Sequence, residues 1–236
     1  MISVIIPTLN EQDNLRNLLN SLCSKRDNHS DIIVVDGDSD DDTMKVAASF
    51  PVTFIQSRRG RGHQLCAGLA QAQGDIILFL HADSRIACGT VKAVQDKMDQ
   101  NPVLIGGNFQ LTFDGGDDFS LWLDGFYVWL RARGFYYGDS GIFIRKIILD
   151  KIGGLSSRAL MEDYDLVRRM EAFGLTCNIT DPAMVTSSRR FTGRRKWQII
   201  WGWVKIHLLY HLGCSGGYMA RHYDSARSSE HMNDKG

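Results

Sequence analysis

The strongest constraint on the fold is an alternation, repeated through roughly the first hundred residues, between short apolar runs and helical patterns. Four apolar runs predict β-strands, at residues 2–6, 31–36, 52–57 and 75–80. Three helical patterns separate them, at residues 11–25, 41–50 and 61–74. Strands that are apolar on both faces and alternate with helices are typical of parallel βαβ units. We therefore predict a doubly wound α/β half, whose ligands lie beyond the carboxyl ends of its strands.

The second half of the chain has a less regular pattern. Residues 103–113 and 140–146 predict strands. Helices are predicted at residues 119–134, 160–174 and 194–213. The chain shows no internal repeat and no long linker. We therefore predict a single domain over residues 1–223, followed by a polar tail over residues 224–236.

Composition excludes several classes of protein. The 27 basic and 27 acidic residues balance, which argues against a nucleic-acid-binding protein. The five cysteines are scattered and form no CxxC pair, a pattern typical of reduced thiols in the cytoplasm. The first residues, MISVIIPTLNEQ, lack the basic start and apolar run of a signal peptide. No run of about 18 apolar residues predicts a membrane span. We therefore expect a cytoplasmic protein.

Polar side chains follow each of the first four predicted strands. The segments are PTLNE at 7–11, DGDSDDD at 36–42, SRRGRG at 57–62 and HADSR at 81–85. In a parallel sheet these ends share one rim. Carboxylates suit a ribose or a base, arginines and a helix N-terminus suit phosphate, and Asp83 suits a divalent cation. Together the four segments predict a nucleotide site.

Each segment also has a simpler interpretation. The acids after the second strand are typical of a turn and a helix N-cap. The arginine segment, which contains Arg58, Arg59 and Arg61, is equally typical of a solvated loop. Asp83 alone is typical of a cap. The position of all four segments on one predicted rim favours the nucleotide site.

Several of these segments resemble glycosyltransferase family 2, the inverting enzymes of GT-A fold. The resemblance lies in SVIIPTLNE, IIVVDGDSDDDT, IILFLHADS and MEDYDLVRRM, and it covers about residues 2–175. The later segments YGDSGIFIRK and SSRRFTGRRKW resemble a bacterial subgroup with uncharacterised acceptors. The resemblance implies a GT-A-like, Rossmann-like mixed sheet flanked by helices. It also implies a nucleotide-binding half to about residue 100 and an acceptor half over residues 101–223.

The resemblance implies roles for the residues at the strand ends. Residues lining the nucleotide pocket would be Pro7, Thr8 and Glu11, and Asp36 would meet the base. The family usually has two aspartates and then a glycine here, whereas this chain has Gly37 and then Asp38. We expect Arg58, Arg59 and Arg61 to bind the diphosphate of the donor.

Asp83 matches the last acid of the family's Asp-x-Asp motif, and His81 occupies the place of the first acid. The resemblance therefore implies a divalent cation, Mn²⁺ or Mg²⁺, at Asp83. Three roles remain open for His81. It can ligate Mn²⁺, it can bond a donor phosphate or a sugar hydroxyl, or it can be a structural histidine.

A second acidic cluster stands at the start of a predicted helix, with Glu162, Asp163 and Asp165. Taken alone, these acids are typical of helix-dipole compensation. The resemblance instead implies that Glu162 and Asp163 are the catalytic pair, with Asp163 as the general base. Asp139 either contacts the sugar or the acceptor, or it is only a turn acid.

Residues 189–196 hold five basic side chains, and the helix that follows is rich in tryptophan. This helix either packs on the core, the interpretation we favour, or rests on anionic lipid as a peripheral membrane contact. The expected function is transfer of a sugar from a nucleotide-diphosphate sugar to an unknown hydroxyl acceptor. The alternatives are a non-catalytic nucleotide-sugar binding module and, with less support, a nucleotidyltransferase.

Overall fold

The computed structural model describes residues 1–23, 30–157, 160–186 and 196–214, together with residues 216, 218 and 219. The strands are β1 Ile2–Thr8, β2 Ser30–Asp36, β3 Thr53–Gln56, β4 Ile76–Phe79, β5 Gly106–Phe113, β6 Ile142–Arg145 and β7 Thr176–Thr186. The helices are α1 Gln12–Cys23, α2 Thr43–Ala48, α3 Arg61–Gln71, α4 Thr90–Gln100, α5 Asp118–Arg131, α6 Lys146–Lys151, α7 Glu162–Phe173 and α8 Lys196–His211. A 3₁₀ turn spans Gly138–Ser140.

The strands form one mixed sheet of seven, in the order β3-β2-β1-β4-β6-β5-β7. The first four strands are parallel, as the alternation in the sequence predicts. Strand β6 runs antiparallel to both of its neighbours, β4 and β5, and β7 runs parallel to β5. In the register, Thr8 pairs with Asp36 and Asp36 with Gln56, so the carboxyl ends of β1, β2 and β3 meet at one edge.

Helices cover both faces of the sheet because β1 to β4 are apolar on both sides. Successive residues of β1 enter opposite layers. Val4 packs in a cluster with Leu15 and Leu18 of α1. Ile5, on the other face, packs in a cluster with Leu65 of α3. This two-sided burial is the packing that near-continuous apolar strands require.

Two sizeable elements have no counterpart in the prediction, namely α4 and β7. Strand β7 contains Asp181-Pro182 and polar residues such as Asn178, which weaken a strand pattern. It forms a strand because β5 offers it a parallel partner from Gly106 to Phe113. Helix α4 buries only a narrow stripe that includes Val94 and Met98, so its apolar periodicity is faint. The basic segment 189–195 and the tail 224–236 lie outside the described residues.

Candidate active site

The rim residues of the nucleotide half lie where the parallel strands end. Thr8 and Asp36 are buried, while Pro7 and Glu11 are partly exposed. The backbone N–H of Gly37 donates to the carbonyl of Thr8 over 2.9 Å, which joins the loops that follow β1 and β2. The structure therefore brings these four predicted pocket residues to one edge of the sheet.

The Asp36 carboxylate is occupied by its own loop. Its Oδ2 accepts the backbone N–H groups of Asp38 and Ser39 at 3.1 and 3.0 Å. Its Oδ1 accepts the Ser39 hydroxyl, and the Thr8 hydroxyl donates to it over 3.4 Å. Asp38 has a positive φ of 72°, which an aspartate tolerates better than most residues. The local geometry supports the turn interpretation, and contact with a nucleotide base stays a prediction.

Gln64 joins the ends of β1 and β2 beneath this loop, and sequence reasoning missed it. Its Nε2 donates to the carbonyls of Thr8 and Val35 at 2.7 and 2.9 Å. A Cβ on Gly37 would lie 3.0 Å from that nitrogen, so a side chain there would press on the Gln64 amide. The available signal was a glutamine on the buried side of α3, next to Leu65.

The three arginines of the predicted diphosphate loop separate into two groups. Arg58 and Arg59 are exposed at the rim, where Arg59 Nη2 donates to the carbonyl of Asp38 over 3.3 Å. Arg61, the first residue of α3, turns inward instead. Its Nε donates to Glu162 Oε1, and its Nη2 lies 3.7 Å from Asp163 Oδ2. Arg61 therefore links the nucleotide half to the acidic start of α7.

The acid pair at the start of α7 is strongly constrained. Glu162 is fully buried, and its Oε2 has no hydrogen-bond partner within the described part of the chain. Asp163 Oδ2 accepts the backbone N–H of Gly138 over 2.9 Å, and its Oδ1 accepts the N–H of Tyr164 over 2.7 Å. These bonds aim the Asp163 carboxylate at the 3₁₀ turn that carries Asp139.

The two acids have opposite pKa shifts. Burial raises the pKa of Glu162 by more than the Arg61 guanidinium lowers it. Burial also acts to raise the pKa of Asp163, but Arg61 and the two backbone N–H groups outweigh it and leave that pKa lowered. Hydrogen bonds and a nearby cation favour the charged form of a carboxyl group. Asp163 is therefore the more readily ionised acid of the pair.

His81 faces the arginine and the 3₁₀ turn. Its Nε2 lies 3.5 Å from Arg61 Nη1, and a side chain on Gly138 would come within 2.7 Å of the same nitrogen. Burial, together with the charge of Arg61, lowers the pKa of His81. A neutral imidazole beside a guanidinium is poorly placed to hold a second cation. The geometry therefore fits a positioning or hydrogen-bonding role better than metal ligation.

Asp83, unlike His81, is suitably placed to bind a divalent cation. Its carboxylate is exposed in the loop after β4. Burial raises the pKa of Glu11, and the charges of Asp83 and Asp41 add to that effect against a hydrogen bond from Asn14. A cation would relieve this negative field, and carboxylate oxygens suit Mn²⁺ and Mg²⁺. Among the described residues, no group of three or more His, Cys, Asp or Glu side chains is arranged as a complete metal site.

A cavity of about 140 Å³ opens beside Asp163. Arg61, His81, Asp139 and Asp163 line its polar side. Its other side is largely aromatic and apolar, and is formed by Tyr127, Tyr137, Leu160, Met161, Trp203, Ile206 and His207. A carboxylate beside an apolar wall suits a ligand with a hydroxyl at one end and a ring or apolar body behind it.

Helix α8 supplies part of that wall by packing on the core. Trp203 stacks on Phe126 of α5 with ring centres 5.1 Å apart. The Tyr137 hydroxyl and His207 Nε2 are hydrogen-bonded at 2.8 Å, and the Tyr210 hydroxyl donates to Asp165 over 2.8 Å. One side of this helix therefore packs on the core, which is the interpretation that we favour from the sequence. Among the described residues, no helix is both long and apolar enough to cross a bilayer.

The profile of glycosyl transferase family 2 matches residues 3–153, which is well over half of the chain. The chain belongs to this family. It is also 33% identical over 89 residues to a dolichol-phosphate mannosyltransferase of Pyrococcus furiosus, covering 35% of this chain and 25% of that protein. An uncharacterised glycosyltransferase of Haemophilus influenzae is 30% identical over 105 residues, covering 43% of this chain and 36% of that one. The chain thus spans well under half the length of these curated relatives.

Solved structures show that the fold is GT-A. A mannosyltransferase from Pyrobaculum calidifontis, in complex with GDP-Man and Mn²⁺, aligns with a TM-score of 0.66 at 22% identity. That alignment covers 90% of this chain and 63% of the other. Glucosyl-3-phosphoglycerate synthase from Mycobacterium tuberculosis, solved with Mn²⁺ and UDP, aligns with a TM-score of 0.62 at 19% identity, covering 91% of this chain and 80% of that one. The mixed-sheet prediction is confirmed.

Proposed function

We propose that this family 2 chain is an inverting glycosyltransferase that moves a sugar from a nucleotide-diphosphate sugar to a hydroxyl acceptor. One observation carries the proposal above the others. Arg61 spans the site, lying within 3.7 Å of Asp163 on α7 and 3.5 Å of His81 at the end of β4. The strand-end rim and the acid pair therefore form one continuous site, with the cavity between them.

The donor would lie along the strand ends. Pro7, Thr8, Glu11 and Asp36 would surround the nucleoside, and the exposed Arg58 and Arg59 would bind the diphosphate. The two solved structures of similar fold described above contain GDP-Man or UDP, which supports a nucleotide donor for this chain. Asp139, which is buried at the cavity wall, would bond the sugar or the acceptor.

Asp83 would hold the divalent cation together with the donor diphosphate. One or two carboxylates plus substrate phosphates are a common way for proteins to bind such ions. When bound, the ion supplies charge neutralisation to the departing diphosphate. The neighbours crystallised with Mn²⁺ support a divalent cation as the cofactor.

Asp163 would take the proton of the acceptor hydroxyl. The acceptor oxygen attacks the anomeric carbon, the bond from that carbon to the diphosphate oxygen breaks, and the electron pair leaves with the nucleotide diphosphate. Since the pKa of Asp163 is lowered, its carboxylate is ionised at neutral pH but is a weak base. It therefore accepts the proton as the acceptor oxygen forms its new bond, when that oxygen is most acidic.

The test is Asp163→Asn, measured as nucleotide release from UDP- and GDP-sugars and as donor binding by calorimetry. Asparagine keeps the side-chain size but cannot take the proton. We expect turnover to fall by about two orders of magnitude or more while donor binding survives. A wild-type protein that binds donors but releases no nucleotide, with water or any hydroxyl compound, would favour the binding module instead.

Asp165→Asn is the matched control. Asp165 stands in the same first turn of α7 and has the same charge, but it pairs with Arg169 and Tyr210 away from the cavity. A helix-dipole role for Asp163 predicts equal and small effects of the two substitutions on turnover. A catalytic role predicts that only Asp163→Asn abolishes it.

A further inference from the structure

Helix α8 is apolar on two opposite sides. One side packs inward through Ile199, Trp203 and Ile206. The other side carries six large apolar side chains that are exposed, Trp197, Ile200, Trp201, Val204, Leu208 and Leu212. These positions recur every three or four residues, so they lie on one stripe along the helix and its C-terminal turn. The inward side chains already pack against the core, so the exposed stripe takes no part in that packing.

Helix α5 packs beside α8 and carries exposed apolar side chains of its own. Its exposed apolar side chains are Leu121, Val128 and Trp129. Phe126 connects the two helices, because its ring stacks on Trp129 at 5.7 Å and on Trp203 at 5.1 Å. We call the nine exposed side chains together the α5–α8 face. They are nine of the sixteen exposed large hydrophobic residues in the described part of the chain, so the exposure is concentrated on these two adjacent helices.

Positively charged side chains lie on or next to the α5–α8 face. Residues 196–214 contain no aspartate or glutamate, and Lys196 and Lys205 are exposed. The Arg133 guanidinium lies 3.8 Å from the ring centre of Trp129, and Lys196 Nζ lies 5.1 Å from that of Trp122. The acids of α5 are Asp118, in its first turn, and Asp124, which accepts the N–H of Phe113. Tryptophans beside lysine and arginine are typical of side chains at a lipid headgroup boundary.

We propose that the α5–α8 face docks the protein on a bilayer surface that contains anionic lipid. The apolar stripe would enter the headgroup region, and Lys196, Lys205 and Arg133 would meet the lipid phosphates. A symmetric dimer through the same face is less favourable. Both copies would contribute the same positively charged patch to the interface, so like charges would face each other. The inward side of α8 lines the acceptor cavity with Trp203, Ile206 and His207, so docking brings that cavity next to the membrane.

The test is sedimentation of the full chain with phosphatidylcholine vesicles, with and without phosphatidylglycerol. We expect binding to the anionic vesicles only. Trp197→Ser with Trp201→Ser should reduce that binding at least tenfold, and Lys205→Glu should reduce it several-fold. Neither tryptophan lines the cavity, so calorimetric binding of UDP and GDP should be unchanged and would show that the variant is folded.

Phe173→Ser with Leu175→Ser is the matched control, because these exposed apolar residues lie elsewhere, at the end of α7 and before β7. This variant should bind anionic vesicles as the wild type does. Three results would overturn the proposal: no binding to anionic vesicles, equal binding to neutral ones, or full binding by the double tryptophan variant. A concentration-dependent dimer that the tryptophan variant loses, without vesicle binding, would assign the face to a second copy.

Discussion

The two sides of the candidate site are built in different ways. On the nucleotide side, the loops of one half of the chain bond within themselves and to each other: Asp36 binds Ser39, three residues away, and the Asn10 N–H donates to the Ser39 hydroxyl, 29 residues away. On the side of the acid pair, Arg61 adds a contact between the two halves of the chain. Arg61 reaches Glu162 across 101 residues, and Asp163 reaches Gly138 across 25. Bonds between loops of the same half shape the rim, whereas the acid pair is held in part from the other half, through Arg61.

This difference has an energetic consequence. Rim charges are largely exposed, and exposed charge pairs contribute little to stability. The Arg61–Glu162 pair is different because Glu162 has no exposed surface. Removing one partner of a buried pair leaves an uncompensated charge, which is among the more destabilising changes known. Substitutions on the two sides should therefore affect different properties.

The largest expected effect on stability is that of Arg61→Gln. It leaves the Glu162 carboxylate buried without its cation, which should lower the free energy of unfolding by roughly 3 kcal/mol at pH 7. Urea denaturation measures this. Glu162→Gln added to the same variant should recover much of the loss, because the buried charge is gone. If the double variant is as unstable as the single one, Arg61 acts through packing.

The same variant has a defined pH dependence. Burial raises the pKa of Glu162 above 4.5, and Arg61→Gln removes the main opposing influence. Above about pH 4.5 the unfolded chain releases this proton while the folded protein retains it, so the folded state loses stability as pH rises. The deficit relative to wild type should therefore be small near about pH 4, close to the ordinary pKa of a glutamate, and should grow as the pH rises. A deficit that does not vary with pH would contradict a charge effect.

A smaller effect, confined to the nucleotide side, is expected from Asp83→Ala. If Asp83 holds the cation, Mn²⁺ should strengthen UDP or GDP binding in the wild type, and Asp83→Ala should remove that enhancement, about tenfold. His81→Gln should keep it, because the imidazole faces Arg61. Calorimetry with and without Mn²⁺ measures both.

Asp38→Asn is the control for the loss of one negative charge at the rim, and it should keep the Mn²⁺ enhancement of UDP or GDP binding. Asp38 is an exposed rim acid with a positive φ, and asparagine tolerates that backbone conformation. Loss of the Mn²⁺ enhancement in His81→Gln would make the histidine a ligand after all. An undiminished enhancement in Asp83→Ala would place the cation elsewhere.

The smallest effects are expected at the exposed arginines. Arg58→Gln or Arg59→Gln should weaken nucleotide diphosphate binding by about two- to fivefold, because solvent screens these charges. Nucleoside binding should not change. Arg16→Gln, on the exposed side of α1, is the control and should have no effect. Equal weakening of nucleoside and diphosphate binding would indicate a folding role for the loop.

Elements with strong local patterns could be predicted from the sequence alone. Strands β1 to β4 are short, largely apolar and separated by helices, so both their type and their parallel direction follow from residues close together in the chain. Strand β7 could not be predicted this way. Asp181-Pro182 and Asn178 are residue types that disfavour a strand. The hydrogen-bonding partner of β7 is β5, some seventy residues earlier in the chain.

For the candidate site, the sequence identified which residue types stand at the strand ends and at the start of α7, because chain order and periodicity determine both. It did not show that Arg61 turns away from the rim toward Glu162, or that Gln64 joins β1 to β2. It left core packing and lipid contact open for α8, since that helix is apolar all round. Only the tertiary structure showed that Trp203 and Ile206 pack inward while Trp197 and Trp201 stay exposed. Such choices depend on which surfaces meet, and a periodic pattern carries no information about its partner.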